Sequence, residues 1–173
     1  ARLFADRLRD PRRVREANDR LIPDVAGDGV ARADVIIEAI FENVEAKRAL
    51  FADVERKAKP EAILATNTSS IPLEDIAGAL ADPSRLVGIH FFNPPRYMHL
   101  AELIPIAQTA PAVLQGLEAF LTSTLGKGVV TARDTPNFIG NRIGVFSILA
   151  TIHHTQAWGP GFDAVDPITG PAM

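Results

Sequence analysis

Three short apolar runs, separated by stretches of helical spacing, limit this chain to very few architectures. Asp34-Val-Ile-Ile-Glu-Ala-Ile40 is rich in β-branched residues, and Ala62-Ile-Leu-Ala-Thr66 and Arg85-Leu-Val-Gly-Ile-His90 are equally short. Apolar runs of this length read as buried strands. Between the first two, Asn43 to Lys59 sets Val44, Ala46, Leu50, Phe51 and Val54 at helical spacing and ends before Pro60. Between the second and third, Pro72 to Leu80 begins with proline just inside a helix start, with Ser69 or Ser70 available to cap it. This alternation predicts an α/β domain with a mostly parallel sheet.

After His90 the pattern changes. Adjacent prolines in Phe91-Phe-Asn-Pro-Pro-Arg-Tyr97 make that segment a loop. Met98 to Ile106 is extended with no helix before it, which predicts an antiparallel hairpin. Ala110 to Leu125 is helical and closes at Gly126-Lys-Gly128, and Val129 to Arg133 is a last strand. A long apolar helix is expected from Pro136, as its first residue, to about His154, followed by a loop-like tail from Trp158. Residues 1–22 fit an amphipathic helix broken near Asp10-Pro11, with Leu3, Phe4, Leu8 and Val14 among its apolar positions; Leu21-Ile22-Pro23 then reads as a short extended piece. The expected division is a domain over 1–133 and a helical unit beginning at 134–173.

Composition narrows the classes. The chain has 173 residues, a formal net charge of −3 and no cysteine. It offers no electrostatic reason for a nucleic-acid or anionic-membrane partner, and no disulfide, thiolate metal site or cysteine nucleophile. No metal is expected. No run approaches the roughly 18 apolar residues a spanning helix needs, and the opening residues lack a signal-peptide pattern. A soluble cytoplasmic protein is the expectation. With no initiator methionine and a turn-like end at Gly170-Pro-Ala-Met173, the chain is expected to be part of a longer protein.

The chemistry-bearing residues gather at strand ends. If the hairpin turns near Arg96, His90 and Glu102 are equally distant from its centre and face each other. Cross-strand Cβ atoms are about 5 Å apart, close enough for an imidazole–carboxylate hydrogen bond. Such a pair holds a general base in one tautomer; it also occurs as a paired surface couple with no chemistry. His99, His153 and His154 have no comparable partner.

Thr66-Asn-Thr-Ser-Ser70 follows a buried strand, where open α/β sheets bind ligands. A helix cap explains Ser69 or Ser70 about as well. Glu42 lies just past the first strand, at the same sheet edge; a first-turn carboxylate favourable to the helix dipole is the plainer reading. Asn141 sits within an apolar helix, where it either meets a substrate oxygen or faces solvent beside Arg142.

Taken together, Glu38-Ala-Ile-Phe-Glu-Asn43, Ala65-Thr-Asn-Thr-Ser-Ser70, Gly88-Ile-His-Phe-Phe-Asn-Pro-Pro95 and Asp134-Thr-Pro-Asn-Phe-Ile-Gly-Asn-Arg142 resemble the 3-hydroxyacyl-CoA dehydrogenases of fatty-acid β-oxidation in order and spacing. The resemblance runs from about Asp34 to about Leu149, and the His-Phe-Phe-Asn-Pro string is its most specific part. Pro95-Arg-Tyr97 looks most like the large forms fused to an enoyl-CoA hydratase. The resemblance implies a Rossmann-like α/β fold, NAD as cofactor, an acyl-CoA substrate and a homo-oligomeric parent. It makes His90 the general base and Glu102 its orienting partner, with Ser69 and Asn141 holding the substrate oxygen. Ile40, Phe41, Glu42, Lys47, Ser69 and Asn93 would line the nicotinamide and ribose side.

Two departures matter. The family's opening Gly-x-Gly-x-x-Gly turn and first βαβ unit are missing, because Gly27-Asp-Gly29 lacks both the third glycine and the flanking strand. Glycine is also commoner in the family at the position of Asn137. An isolated piece of this kind is expected to be inactive. A dehydrogenase acting on a sugar acid or hydroxy acid without CoA, or a non-catalytic binding protein of the same fold, is the alternative.

Overall fold

The computed structural model describes residues 6–8 and 10–170. The expected apolar positions Leu3 and Phe4, and the chain end at 171–173, lie outside the described residues. Helix α1 (Pro11–Asp19) is capped by Asp10, whose carboxylate accepts from Arg12 N at 2.9 Å, so the predicted break at Asp10-Pro11 is a helix start. Leu21-Ile22-Pro23 pairs with no strand and leads to a short 3-10 turn at Asp28–Arg32.

The sheet has five strands in sequential order: β1 (Val35–Glu38), β2 (Ile63–Thr66), β3 (Leu86–Phe91), β4 (Leu100–Pro105) and β5 (Gly128–Thr131). β1, β2 and β3 are parallel, β4 runs antiparallel to β3, and β5 is parallel to β4. The predicted mostly parallel sheet with one antiparallel hairpin is therefore the observed one. Helix α2 (Val44–Lys57) joins β1 to β2, and α3 (Leu73–Ala77) joins β2 to β3. α4 (Pro111–Ser123) returns the chain to β5.

Side-chain alternation splits the core into two layers. Leu64, Leu86 and Ile104 meet Phe51 and Val54 of α2 and Leu73 and Ile76 of α3 on one face. Ala65, Val87, Ile89 and Leu103 meet Leu117 and Leu121 of α4 on the other. Gly88 allows the first layer to close, since a Cβ there would lie 2.9 Å from Ile104 Cβ and 3.2 Å from a Leu73 methyl.

The C-terminal region departs from expectation twice. Pro136 does not start the long helix: residues 134–139 form a turn in which Asn137 and Phe138 take φ of 65° and 48°, and α5 runs Gly140–Trp158. The left-handed conformation explains why glycine suits the position of Asn137, and asparagine is among the few other residues that adopt it readily. The tail also forms a helix, α6 (Phe162–Thr169), despite Pro167 within it. Among the described residues no helix is long and apolar enough to cross a membrane.

Candidate functional site

Strand period and register put the polar residues on one face at one edge. Glu38 pairs across to Thr66, and Thr66 to Gly88, two residues before His90. Because successive side chains alternate, Glu38, Thr66 and His90 lie on the same face as Leu86, at the carboxyl ends of the parallel strands. β4 is antiparallel, so its early residue Glu102 falls at the same edge, directly opposite His90. The hairpin register is the one expected from the sequence.

His90 Nδ1 and Glu102 Oε2 are 2.6 Å apart, and both residues are buried. The other Glu102 oxygen accepts from the backbone N–H groups of Ile139 (3.0 Å) and Gly140 (2.8 Å) at the start of α5. A carboxylate surrounded by donors stays an acceptor, so the network assigns the proton to Nδ1 and leaves Nε2 as the basic nitrogen. Phe92 stands edge-on to the imidazole with ring centroids 4.6 Å apart, and buried Phe138 lies at 5.5 Å. Glycine at position 140 lets the start of α5 pack closely on Phe92, since a Cβ there would overlap the tip of that ring.

The second cluster centres on Glu42. Its carboxylate accepts from Ser69 N (2.6 Å), Ser69 Oγ (3.0 Å) and Thr68 Oγ1 (2.9 Å). Partial burial acts to raise the Glu42 pKa, but the Ser69 N–H, the two hydroxyls and the nearby Lys47 ammonium outweigh it and lower the carboxyl below its ordinary value. Ser69 therefore caps no helix. The cap of α3 is Asp134, whose two oxygens accept from Leu73 N (2.8 Å) and Glu74 N (3.1 Å). Asn141 is not in a helix interior: it is the second residue of α5, and its Nδ2 reaches Ser69 O at 3.5 Å.

Lys47, expected beside the cofactor, is buried. Its Nζ meets Glu38 Oε1 at 2.7 Å, Ile40 O at 3.3 Å and Glu42 Oε2 at 3.3 Å. Ile40 and Phe41 are exposed on the loop between Glu38 and Glu42, Phe41 strongly so. Asn93 is exposed three residues beyond His90. Its loop is held by Lys127, which donates to the carbonyls of Pro95 and, at 2.7 Å, Met98.

Sequence reading missed Glu38, Thr66, Asp134 and the two phenylalanines around the imidazole. A glutamate ending a buried strand, with a lysine nine residues later, was the only signal for the first of these. The Gly27-Asp-Gly29 turn binds its own chain: its three N–H groups donate to the Asp24 carboxylate at 2.6–3.1 Å. The Gly29 N–H most of all keeps that carboxyl below its ordinary value.

The family profile described as 3-hydroxyacyl-CoA dehydrogenase, NAD binding domain, matches residues 2–135. The chain belongs to this family. A probable 3-hydroxyacyl-CoA dehydrogenase of Deinococcus radiodurans is 46% identical over 142 residues, covering 81% of this chain and 41% of the relative. A putative fatty acid oxidation complex trifunctional enzyme of Rickettsia felis is 42% identical over 137 residues, covering 78% of this chain and 19% of the relative. The crystal structure of FadB2 from M. tuberculosis superimposes with a TM-score of 0.89 at 30% identity, covering 99% of this chain and 61% of that one. The chain thus spans less than half the length of these two curated dehydrogenase-family relatives.

Proposed function

We propose that the protein carrying this chain oxidises (S)-3-hydroxyacyl-CoA to 3-oxoacyl-CoA with NAD. One observation carries the reading: a chain of contacts runs from His90 through Glu102 and the start of α5 to Asn141, Ser69 and Glu42. It joins a fixed base to small polar groups at the edge where α/β sheets take ligands.

The donor set fits a nicotinamide ribose. Exposed Ile40 and Phe41 border that edge, and the half-exposed carboxylate of Glu42, the Ser69 hydroxyl and Asn93 offer both acceptors and donors there. NAD supplies hydride acceptance when bound. In the proposed reaction His90 Nε2 takes the proton of the 3-hydroxyl, and Glu102 stabilises the resulting imidazolium through Nδ1. Ser69 and Asn141 would hold the substrate oxygen. Holding the alcohol against the base gives the chain its share of the rate through orientation and proton transfer.

Residues 1–133 are proposed as the NAD-binding unit and 134–173 as the start of a helical unit. Among the described residues every regular element after β5 is helical, and α5 and α6 expose Phe146, Leu149, Trp158 and Ile168, apolar surface suited to further helices or a second subunit. The Rickettsia relative is named a trifunctional enzyme, which supports a parent with further catalytic domains, a hydratase among them in this proposal. A cytoplasmic setting is part of the same proposal.

The test is acetoacetyl-CoA-dependent oxidation of NADH by the intact protein, with a non-CoA 3-oxo acid in parallel. Turnover of the thioester alone supports the reading. Turnover of the free acid alone moves the protein to the non-CoA class, and turnover of neither overturns the assignment.

A further inference from the structure

The turn that leads into α5 carries two adjacent non-glycine residues with left-handed backbone, Asn137 at φ 65° and Phe138 at φ 48°. Asparagine enters this region readily, but for a bulky side chain it is an outlier. Such strain persists only where the surroundings fix it, and it collects at working sites. Here both sides of the pair are tied down. Asp134 is bound to the first turn of α3 through Leu73 N and Glu74 N, and Phe138 N donates to Thr135 O at 3.0 Å. Beyond the pair, Ile139 N and Gly140 N donate to Glu102.

The turn delivers a ring to the imidazole. Asn137 stays exposed, whereas Phe138 is 2% exposed and its ring centroid lies 5.5 Å from that of His90, tilted by 56°. Phe92 supplies a second wall at 4.6 Å and 63°. Glu102 fixes one atom of the imidazole, Nδ1, and a ring held at one atom is still free to tilt about that bond. Two aromatic rings set steeply to its plane remove the tilt. Phe138 also packs in the apolar layer with Leu73 and Ile104. Burial alone does not call for a left-handed backbone, because a ring gains the same burial from a relaxed one.

We propose that Phe138 is a positioning residue for His90. The left-handed turn sets its ring against the imidazole, and with Phe92 it keeps Nε2 aimed at the reacting oxygen of the substrate. This rests on the reading of His90 as the base that moves the proton.

The experiment measures acetoacetyl-CoA reduction by NADH, melting temperature and the NMR signals of the His90 ring. It uses the intact protein and its Phe138→Leu, Asn137→Val, Asn137→Gly and Val54→Ala variants. Phe138→Leu stays apolar but has no ring. It should lower kcat about tenfold while KM for both reactants holds within about twofold, and its His90 signals should broaden as the imidazole samples several tilts. Asn137→Val disfavours the turn without touching the imidazole and should lower kcat about threefold, whereas Asn137→Gly adopts the turn freely and should keep kcat within about twofold of wild type. Val54→Ala trims the same apolar layer at α2, so it should lose melting temperature with kcat intact. Unchanged kcat in Phe138→Leu, or an equal loss of kcat in Val54→Ala at equal melting temperature, overturns the proposal. If Phe138→Leu does not fold, unchanged kcat in Asn137→Val overturns it. A wild type that leaves acetoacetyl-CoA unreduced refutes the proposed reaction, and the ring signals then decide the positioning: His90 signals as sharp in Phe138→Leu as in wild type overturn it.

Discussion

Glu38 and Glu102 occupy matching places in the sheet. Each is buried near the same edge, each presents both oxygens to donors on one face, and each meets a nitrogen base at 2.6–2.7 Å. Their partners separate them. Lys47 is buried, donates to Glu38 and the Ile40 carbonyl, and has Glu42 in ion-pair range, so its pair is closed to solvent. His90 is tied to Glu102 through Nδ1 alone, so its second ring nitrogen stays outside the pair. Burial and ion-pair distance therefore do not separate the two pairs; the second ring nitrogen of His90 does.

The contrast can be broken at several points. The largest expected effect is His90→Gln, which should lower turnover by about a thousandfold while NADH affinity holds. Undiminished turnover with acetoacetyl-CoA would remove His90 from the chemistry. Lys47→Met strands a buried carboxylate and should cost about 3–5 kcal/mol in urea unfolding. A loss under about 1 kcal/mol, the value of an exposed pair, would mean that the Glu38–Lys47 pair is solvated and the contrast false.

Glu102→Gln keeps the shape but offers an amide to Nδ1, favouring the wrong tautomer. Turnover should fall about a hundredfold with unchanged KM for NADH. A change confined to KM would remove Glu102 from the proton transfer. Asp134→Ala removes the cap of α3 and should lower stability by about 1 kcal/mol, read as a shift in urea midpoint at constant slope.

The smallest effect is in pH. At Glu42 and Glu55, burial opposes ionisation, but their N–H, hydroxyl and cationic partners prevail and lower both pKa values. Because the folded state favours the charged form, this stabilisation is fully present above the ordinary glutamate value of 4.5 and fades as pH falls below it. Melting temperature should be flat on the neutral side and decline in acid. A protein that grows more stable as these groups protonate would contradict the sign.

The hairpin shows what the sequence makes legible. Period-2 alternation and a Pro-Pro turn are local facts, and together they set the His90–Glu102 register correctly. The Glu38 cluster was hidden because Glu38, Thr66 and Lys47 meet only once β1 and β2 pair and α2 folds back. Asp134 was hidden in the same way: it caps a helix start 60 residues earlier in the chain. The start of α5 was misplaced because proline at a first helical position is a common signal, whereas two consecutive left-handed residues after it have none that a single sequence displays. α6 was missed because Gly159-Pro-Gly161 and Pro167 suggested a loop, yet the glycines end α5 and precede α6, leaving only one proline inside it.

The division of Glu102 between two tasks has a mechanical consequence. One oxygen holds the imidazole and the other holds the first turn of α5, so the helix cannot lift from the sheet without releasing an acceptor beside the base. A loosened helix would therefore be felt as a slower proton transfer, even where every residue around the cofactor loop stayed in place. In the proposed reaction the carboxylate would act as a latch that ties the seating of α5 to the readiness of the imidazole.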